Sequence, residues 1–172
     1  MRQYRPPELL GDHHDLTEFQ SRSTEQTQWL RRYARQSAAV GTTRVFVVTE
    51  HHSQRVVAYY AWCMAQLDTD VAPGRARKGA GRYPQPVALL ARLGVDIDHE
   101  RAGLAAGMLQ DIFARLTELS DDIGCRGLLV HAESADARNF YRHLVPEFEP
   151  SPTDELHLML LTKDIRRTLP AD

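Results

Sequence analysis

The stretch from Val87 to Gly124 constrains the rest of the chain. Val87 to Val95 is a near-continuous apolar run of strand length. After Gly103 the spacing turns helical, with Leu104, Met108, Ile112, Leu116, Leu119 and Ile123 at steps of four and three. The stretch therefore reads as strand, tight turn and long helix, a unit that α/β chains contain. The turn between them, Asp98 to Gly107, ends in a cluster of Gly and Ala. Small residues let a ligand's phosphates approach the backbone, while the unpaired amides and positive dipole end of a helix start favour an anion. Pyrophosphate binding is the chemistry this suggests; ordinary helix-on-sheet packing is the alternative reading of the same residues.

A chain of 172 residues is the length of one domain with a full core, and residues 163–172 read as a charged, frayed tail. No apolar run approaches a membrane span, and Met1 to Pro7 lacks the apolar core of a signal peptide, so the expected location is the cytoplasm and no membrane partner is expected. Cys63 and Cys125 make neither a disulfide framework nor a metal quartet. The formal charge of −2 argues against a protein that coats nucleic acid. Basic residues nevertheless gather at Arg31, Arg32 and Arg35 and again at Arg75, Arg77, Lys78 and Arg82, so a polyanion would use local patches.

Residues 1–22 read as irregular. Ser23 to Gln26 matches a capping box, and a helix to about Val40 follows, with Trp29, Leu30, Tyr33 and Ala34 on its apolar side. Thr42 to Thr49 and Val56 to Met64, rich in β-branched and aromatic residues, form a hairpin. Residues 67–86 read as a long irregular connection, and its Arg75, Arg77, Lys78 cluster fits a solvated loop and a phosphate-binding one equally. Gly127 to Glu133 is another buried strand, Ser134 caps a helix over Ala135 to His143 carrying Asn139-Phe140-Tyr141, and Glu155 to Thr162 is a last strand. His13-His14 and His51-His52 lie in polar segments without partners at helical ligand spacing, so no metal is expected.

This order of elements resembles the GCN5-related N-acetyltransferase (GNAT) family over nearly the whole chain. More narrowly, Val87 to Val95, the Gly103 turn and Ala137 to Tyr141 resemble the TacT-like toxins of bacterial toxin-antitoxin pairs. The resemblance implies the acyl-CoA N-acyltransferase fold, a mixed central sheet flanked by helices, as a single domain over residues 1–172. It implies acetyl-CoA as cosubstrate, its pyrophosphate on the amides of Arg101, Ala102, Gly103, Leu104, Ala105 and Ala106. Its pantetheine arm would lie along Leu93, Gly94 and Val95, where Gly94 suits either a close ligand backbone or a bulge. Asn139 would contact the cofactor. Tyr141 would be the general acid that protonates the departing thiolate; a phenol with pKa near 10 can deliver a proton to a thiol of about 8.5. Packing against the sheet is the other role for that ring.

Two departures from the family pattern stand out. Glu100 occupies the position of a family Gln or Arg, and a carboxylate beside a pyrophosphate repels it. The expectation is that Glu100 points to solvent while Arg101 supplies positive charge. Leu144 to Phe148 is about two residues longer than the family's connection.

A lysine acceptor, with pKa about 10.4, needs a strong base, whereas an α-amine at about 7.7 to 8.0 already supplies neutral amine. His99, Glu100, His131 and Glu133 are the candidate bases, each with a solvated or core role as the alternative. The lack of a clear base favours an α-amine, and the resemblance points to the amino acid of an aminoacyl-tRNA. Arg32, Arg35, Arg75, Arg77, Lys78, Arg82, Arg92, Arg138 and Arg142 are the candidate RNA-binding residues, Arg92 serving equally well as a structural ion pair. By resemblance the chain inhibits translation as a toxin, is neutralised by a ribbon-helix-helix antitoxin and forms a homodimer. The competing readings are an acetyltransferase acting on a small-molecule amine or a protein N-terminus, and a non-catalytic module binding CoA or a partner.

Overall fold

The structure is a computed structural model that describes residues 1–169. Strands β1 (Glu8–Leu9), β2 (Arg44–Thr49), β3 (Val56–Leu67), β4 (Gln85–Val95), β5 (Gly127–His131), β6 (Glu149–Pro150) and β7 (His157–Leu161) form one seven-stranded sheet. Their order is β1-β2-β3-β4-β5-β7-β6, with β4 and β5 parallel and β5 and β7 antiparallel. The helices are α1 (Thr24–Arg32), α2 (Ala34–Ala39), α3 (Gly74–Arg77), α4 (Leu104–Asp122), α5 (Ala135–Leu144) and α6 (Thr162–Thr168). This is the mixed α/β architecture expected. No helix among the described residues is long and apolar enough to cross a membrane. The chain divides into two compact units, one of Met1–Cys63 with Ala91–Asp111, the other of Met64–Leu90 with the described residues from Ile112 onward.

In the first unit the β2–β3 hairpin forms as expected, and the irregular N-terminus does more than the sequence implied. Glu8 and Leu9 pair with Val47 and Phe46, closing the hairpin's edge. Phe19, Leu30, Ala34, Val45, Val47 and Tyr59 build the core; each large apolar side chain buried there contributes about 1.5–3 kcal/mol. Ser23 caps α1 by accepting from the Gln26 amide, while the Gln26 side-chain oxygen accepts from the Tyr59 hydroxyl at 3.1 Å. The single helix expected to Val40 is instead two, broken at Tyr33, which stands exposed beside buried Ala34.

The second unit is packed around Leu67, Val87, Leu129, Met159 and Leu161. Gly127 lies so close to β7 that an added Cβ would stand 2.1 Å from the Leu160 carbonyl oxygen, so only glycine permits this strand pairing. Two expectations are corrected here. The connection over 67–86 is irregular only over 78–84: β3 continues to Leu67, Thr69–Val71 makes a 3-10 turn, and Ala72 after it and Ala76 of α3 are buried in the core. The tail expected from residue 163 is helical to Thr168, because Ile165 is fully buried and the Asp164 carboxylate meets Arg75 at 2.9 Å. Residues 170–172 of that expected tail lie outside the described residues.

Candidate functional site

The expected turn is present and tightly held. Asp96, buried at the end of β4, accepts from the Asp98 amide through Oδ1 and from the Gln20 amide through Oδ2, both at 3.0 Å. Ile97–His99 then makes a 3-10 turn, and Arg101 (φ 61°) and Gly103 (φ 78°) take left-handed conformations before α4 begins at Leu104. The Gly107 amide donates to the Gly103 carbonyl at 2.9 Å, an early i to i−4 bond. The preceding amides at the helix start are the ones such a geometry leaves for an anion. Nothing lies within 4 Å of the position a Cβ would take at Gly103 or Gly107, so the space beside the turn is open. A pyrophosphate fits this cradle.

Glu100 departs from expectation. Its carboxylate does not simply face solvent: Arg22 donates to it at 2.7 Å, and that bond holds its pKa below the usual range. A cation from a segment 78 positions away thus offsets the charge beside the turn. Arg101 is exposed. Gly94 has a packing reason of its own, since a Cβ there would stand 2.9 Å from the Tyr59 ring and 3.4 Å from Phe19. Leu93, Gly94 and Val95 end β4 beyond Ala88–Leu90, the segment that pairs with β5.

In the second unit, Ser134 caps α5 by accepting from the Ala137 amide. The helix carries Tyr141 inward, with its ring 5.3 Å from Phe140 and 5.9 Å from Phe148. The longer Leu144 to Phe148 connection therefore still delivers a phenylalanine against the tyrosine. Burial, reinforced by the charge of Glu133, pushes the Tyr141 pKa up, so the phenol is protonated at neutral pH. The ring packs against Phe140 and Phe148, the alternative role considered for it, and its phenol keeps its proton. Asn139 is exposed, its side-chain oxygen accepting from Arg138 at 3.2 Å.

The basic residues fall into two groups. Arg32, Lys78, Arg82 and Arg142 are exposed, and their side chains meet no acceptor among the described residues. The others are engaged. Arg35 donates to the Gly11 and His14 carbonyls, and Arg77 to those of Asp70 and Ala72. Arg75 pairs with Glu149 and Asp164, and Arg138 pairs with Glu155 at 3.0 Å. Arg92 pairs with Glu25 at 2.6 Å and lies over the Trp29 ring, which realises the structural reading of that residue. Arg32 and Arg35 line one cleft of about 680 Å³ together with Arg31 and Gln28. Arg31 and Arg22 were outside the expected set. Arg31 was recognisable as part of the first basic cluster, whereas nothing near Arg22 in sequence points to Glu100.

Glu8, His13 and His14 bring possible metal-ligating atoms within 4.8 Å of one another. The two ring nitrogens of His14 are already used: Nδ1 accepts from the Gly11 amide at 2.9 Å and Nε2 donates to Glu8 at 3.0 Å. Cys63 and Cys125 are free thiols whose pKa values burial raises.

No protein-family model matches the chain. It is 40% identical over 163 residues to the tRNA-acetylating toxin of Mycobacterium tuberculosis (strain ATCC 25618 / H37Rv), covering 95% of each chain. Among solved structures, a tyrosine-to-phenylalanine mutant of KacT superposes with a TM-score of 0.89 at 19% identity, over 97% of this chain and 99% of that one. AtaT complexed with acetyl-methionyl-tRNAfMet matches with a TM-score of 0.86 at 22% identity, over 96% and 98%. A mutant AtaT bound to acetyl-CoA and the C-terminus of the antitoxin AtaR matches at 0.79 and 21%, over 96% and 97%.

Proposed function

The chain belongs to the family of tRNA-acetylating toxins, and from that membership we propose how its residues divide the reaction. The protein is an acetyl-CoA-dependent N-acetyltransferase that acetylates the α-amine of an aminoacyl-tRNA. Acetylation turns that amine into an amide, which has no lone pair free for peptide-bond formation, and this is how the toxin stops translation.

The amides of Arg101, Ala102, Gly103, Leu104, Ala105 and Ala106 hold the pyrophosphate of acetyl-CoA, and the backbone of Leu93, Gly94 and Val95 hydrogen-bonds its pantetheine arm as a neighbouring strand would. Asn139 contacts the cofactor. Acetyl-CoA supplies the activated acetyl group; this chain orients it and moves one proton. Tyr141, which α5 carries inward, is the donor of that proton, and the observation that carries the reading is the 40% identity over 163 residues to a tRNA-acetylating toxin. The Arg22–Glu100 pair offsets the carboxylate's charge beside the turn, which supports cofactor binding over a non-catalytic module.

For the RNA, the unengaged Arg32, Lys78, Arg82 and Arg142 contact phosphates, with Arg31 added and Arg35 beside it in the same cleft. Arg75, Arg77, Arg92 and Arg138 serve the fold first, and any phosphate contact they make is shared with those partners. The chain works as one acetyltransferase domain in the cytoplasm, as a homodimer, and is neutralised by a ribbon-helix-helix antitoxin. The testing experiment is acetyl transfer from labelled acetyl-CoA to a pool of charged tRNA: label on the aminoacyl group supports the reading, and label only on small amines or protein N-termini redirects it.

A further inference from the structure

Residues 2–5, ahead of β1, are fixed to the β2–β3 hairpin. The Arg5 amide donates to the Thr49 carbonyl at 2.9 Å, the His51 amide to the Gln3 carbonyl at 3.0 Å, and the Arg5 guanidinium to the His51 carbonyl at 2.8 Å. From this anchored strap two side chains reach the turn that precedes α4. Arg2 donates to the Asp98 carbonyl and lies 3.3 Å from Nδ1 of His99. The Tyr4 hydroxyl lies 3.0 Å from the same nitrogen, its ring edge-on to the imidazole. His99 is only 5% exposed and stands two residues before Arg101, the first residue whose amide is assigned to the pyrophosphate. The strap, His99 and the whole turn belong to the first unit.

A guanidinium only donates, so Nδ1 of His99 accepts and the neutral ring carries its hydrogen on Nε2. We infer that Arg2, Tyr4 and His99 form a clamp that positions the acetyl-CoA cradle, and that the clamp opens when His99 takes up a proton. This inference rests on the cofactor site proposed above and assigns that site its support. His99 is then a positioning residue: its one acceptor nitrogen is taken by the strap.

Protonation puts a hydrogen on Nδ1, facing two donors. The Tyr4 hydroxyl can rotate to accept it, but the Arg2 guanidinium has no lone pair to offer and repels the new charge. The turn keeps its Asp96 bonds and loses its tie to the strap. Amides bind an anion well only while they stay convergent, so loosening the turn weakens acetyl-CoA binding, and bound acetyl-CoA in return favours the neutral ring.

The charged and titratable groups facing His99 come from every side: Arg2 and Tyr4 on the strap, Glu50 after β2, Arg55 before β3, and Asp96 and Asp98 on its own turn. Burial holds the imidazole below its ordinary pKa, Arg2 and Arg55 act in the same direction, and Glu50 and Asp96 oppose them. The ring is therefore neutral and the clamp closed at pH 7.5. Opening sets in only below the ordinary histidine value of about 6.5.

The test is acetyl-CoA affinity by calorimetry at about pH 7.5 and 5, with thermal midpoints in parallel, for wild type, the Arg2→Ala, Tyr4→Phe double variant, and His99→Asn. Neither Arg2 nor Tyr4 is buried, so the double variant spares the core. The asparagine amide oxygen accepts from the same donors and does not titrate. At pH 7.5 the double variant binds about fivefold more weakly than wild type. Between the two pH values wild type loses at least about threefold more affinity than either variant; ionisation of the cosubstrate's own phosphate is common to all three and cancels. A double variant within about twofold of wild type at pH 7.5 overturns the clamp, even with a lowered midpoint. So does a double variant with the wild-type pH dependence, whether or not His99→Asn folds. A wild type that binds no acetyl-CoA at either pH overturns the cofactor site itself, and the clamp with it.

Discussion

The turn before α4 and the basic segment from α3 to Arg82 look alike in sequence as anion sites, yet they are built in opposite ways. At the turn the binding groups are backbone amides, fixed by left-handed Arg101 and Gly103 and tethered by Asp96; its one unfavourable side chain, Glu100, is offset by Arg22. In the basic segment the binding groups would be side chains, and the fold has already engaged Arg75 and Arg77 while leaving Lys78 and Arg82 exposed. A main-chain site survives folding because its donors belong to the element that defines it. A side-chain site depends on which remote acceptors folding brings alongside.

The largest expected effect strikes the backbone itself. Gly103→Val forces a β-branched residue into a φ of 78°, at a cost of about 1–2 kcal/mol, and displaces the amides; calorimetry should find acetyl-CoA bound at least about tenfold more weakly. An unchanged affinity would mean that the cradle lies elsewhere. Arg22→Ala is smaller: with Glu100 no longer offset, acetyl-CoA affinity should drop about three- to fivefold at low salt, recover in the Arg22→Ala, Glu100→Gln double variant, and fade as a difference near 1 M salt.

In the basic segment the comparison splits into two observables. Lys78→Ala and Arg82→Ala should each lower the slope of log tRNA affinity against log salt by about 0.7–0.9 with no change in thermal midpoint. Arg75→Ala should do the reverse, lowering the midpoint by a few degrees while leaving that slope nearly unchanged, since it strips a partner from buried Asp164. The smallest effect appears only in alkali. Tyr141 stays protonated in the folded state through the pH near 10 where an unfolded tyrosine ionises, so above that pH the folded state binds the extra proton and stability falls. Tyr141→Phe should show a shallower loss of stability above pH 10 in denaturant titrations.

The same contrast explains how much was legible beforehand. The Val87 strand, the helix from Leu104, the Ser134 cap and the inward Tyr141 follow from local periodicity and capping chemistry, which act within a few residues. The helix break at Tyr33, the helical course of residues 162–168 and the folding of 69–77 arise from burial against distant elements, which weak local propensity does not encode. Among site residues, the amides of the turn were readable as a pattern. The Arg22–Glu100 pair was not, because it joins positions that only the fold makes neighbours. Gly94 was half legible: its small size was visible, but the reason, the Tyr59 ring against its Cα, was not.

The most direct test of the central claim is single-turnover transfer of labelled acetyl from acetyl-CoA to the aminoacyl group of charged tRNA by wild type and Tyr141→Phe. The expected result is label on the α-amine with wild type, a rate lower by at least about tenfold in the variant, and equal acetyl-CoA affinity and thermal midpoint, since the substitution removes one oxygen and keeps the ring against Phe140 and Phe148. A Tyr141→Phe enzyme as fast as wild type would contradict the assigned general acid, and charged tRNA left unlabelled by wild type would contradict the acceptor.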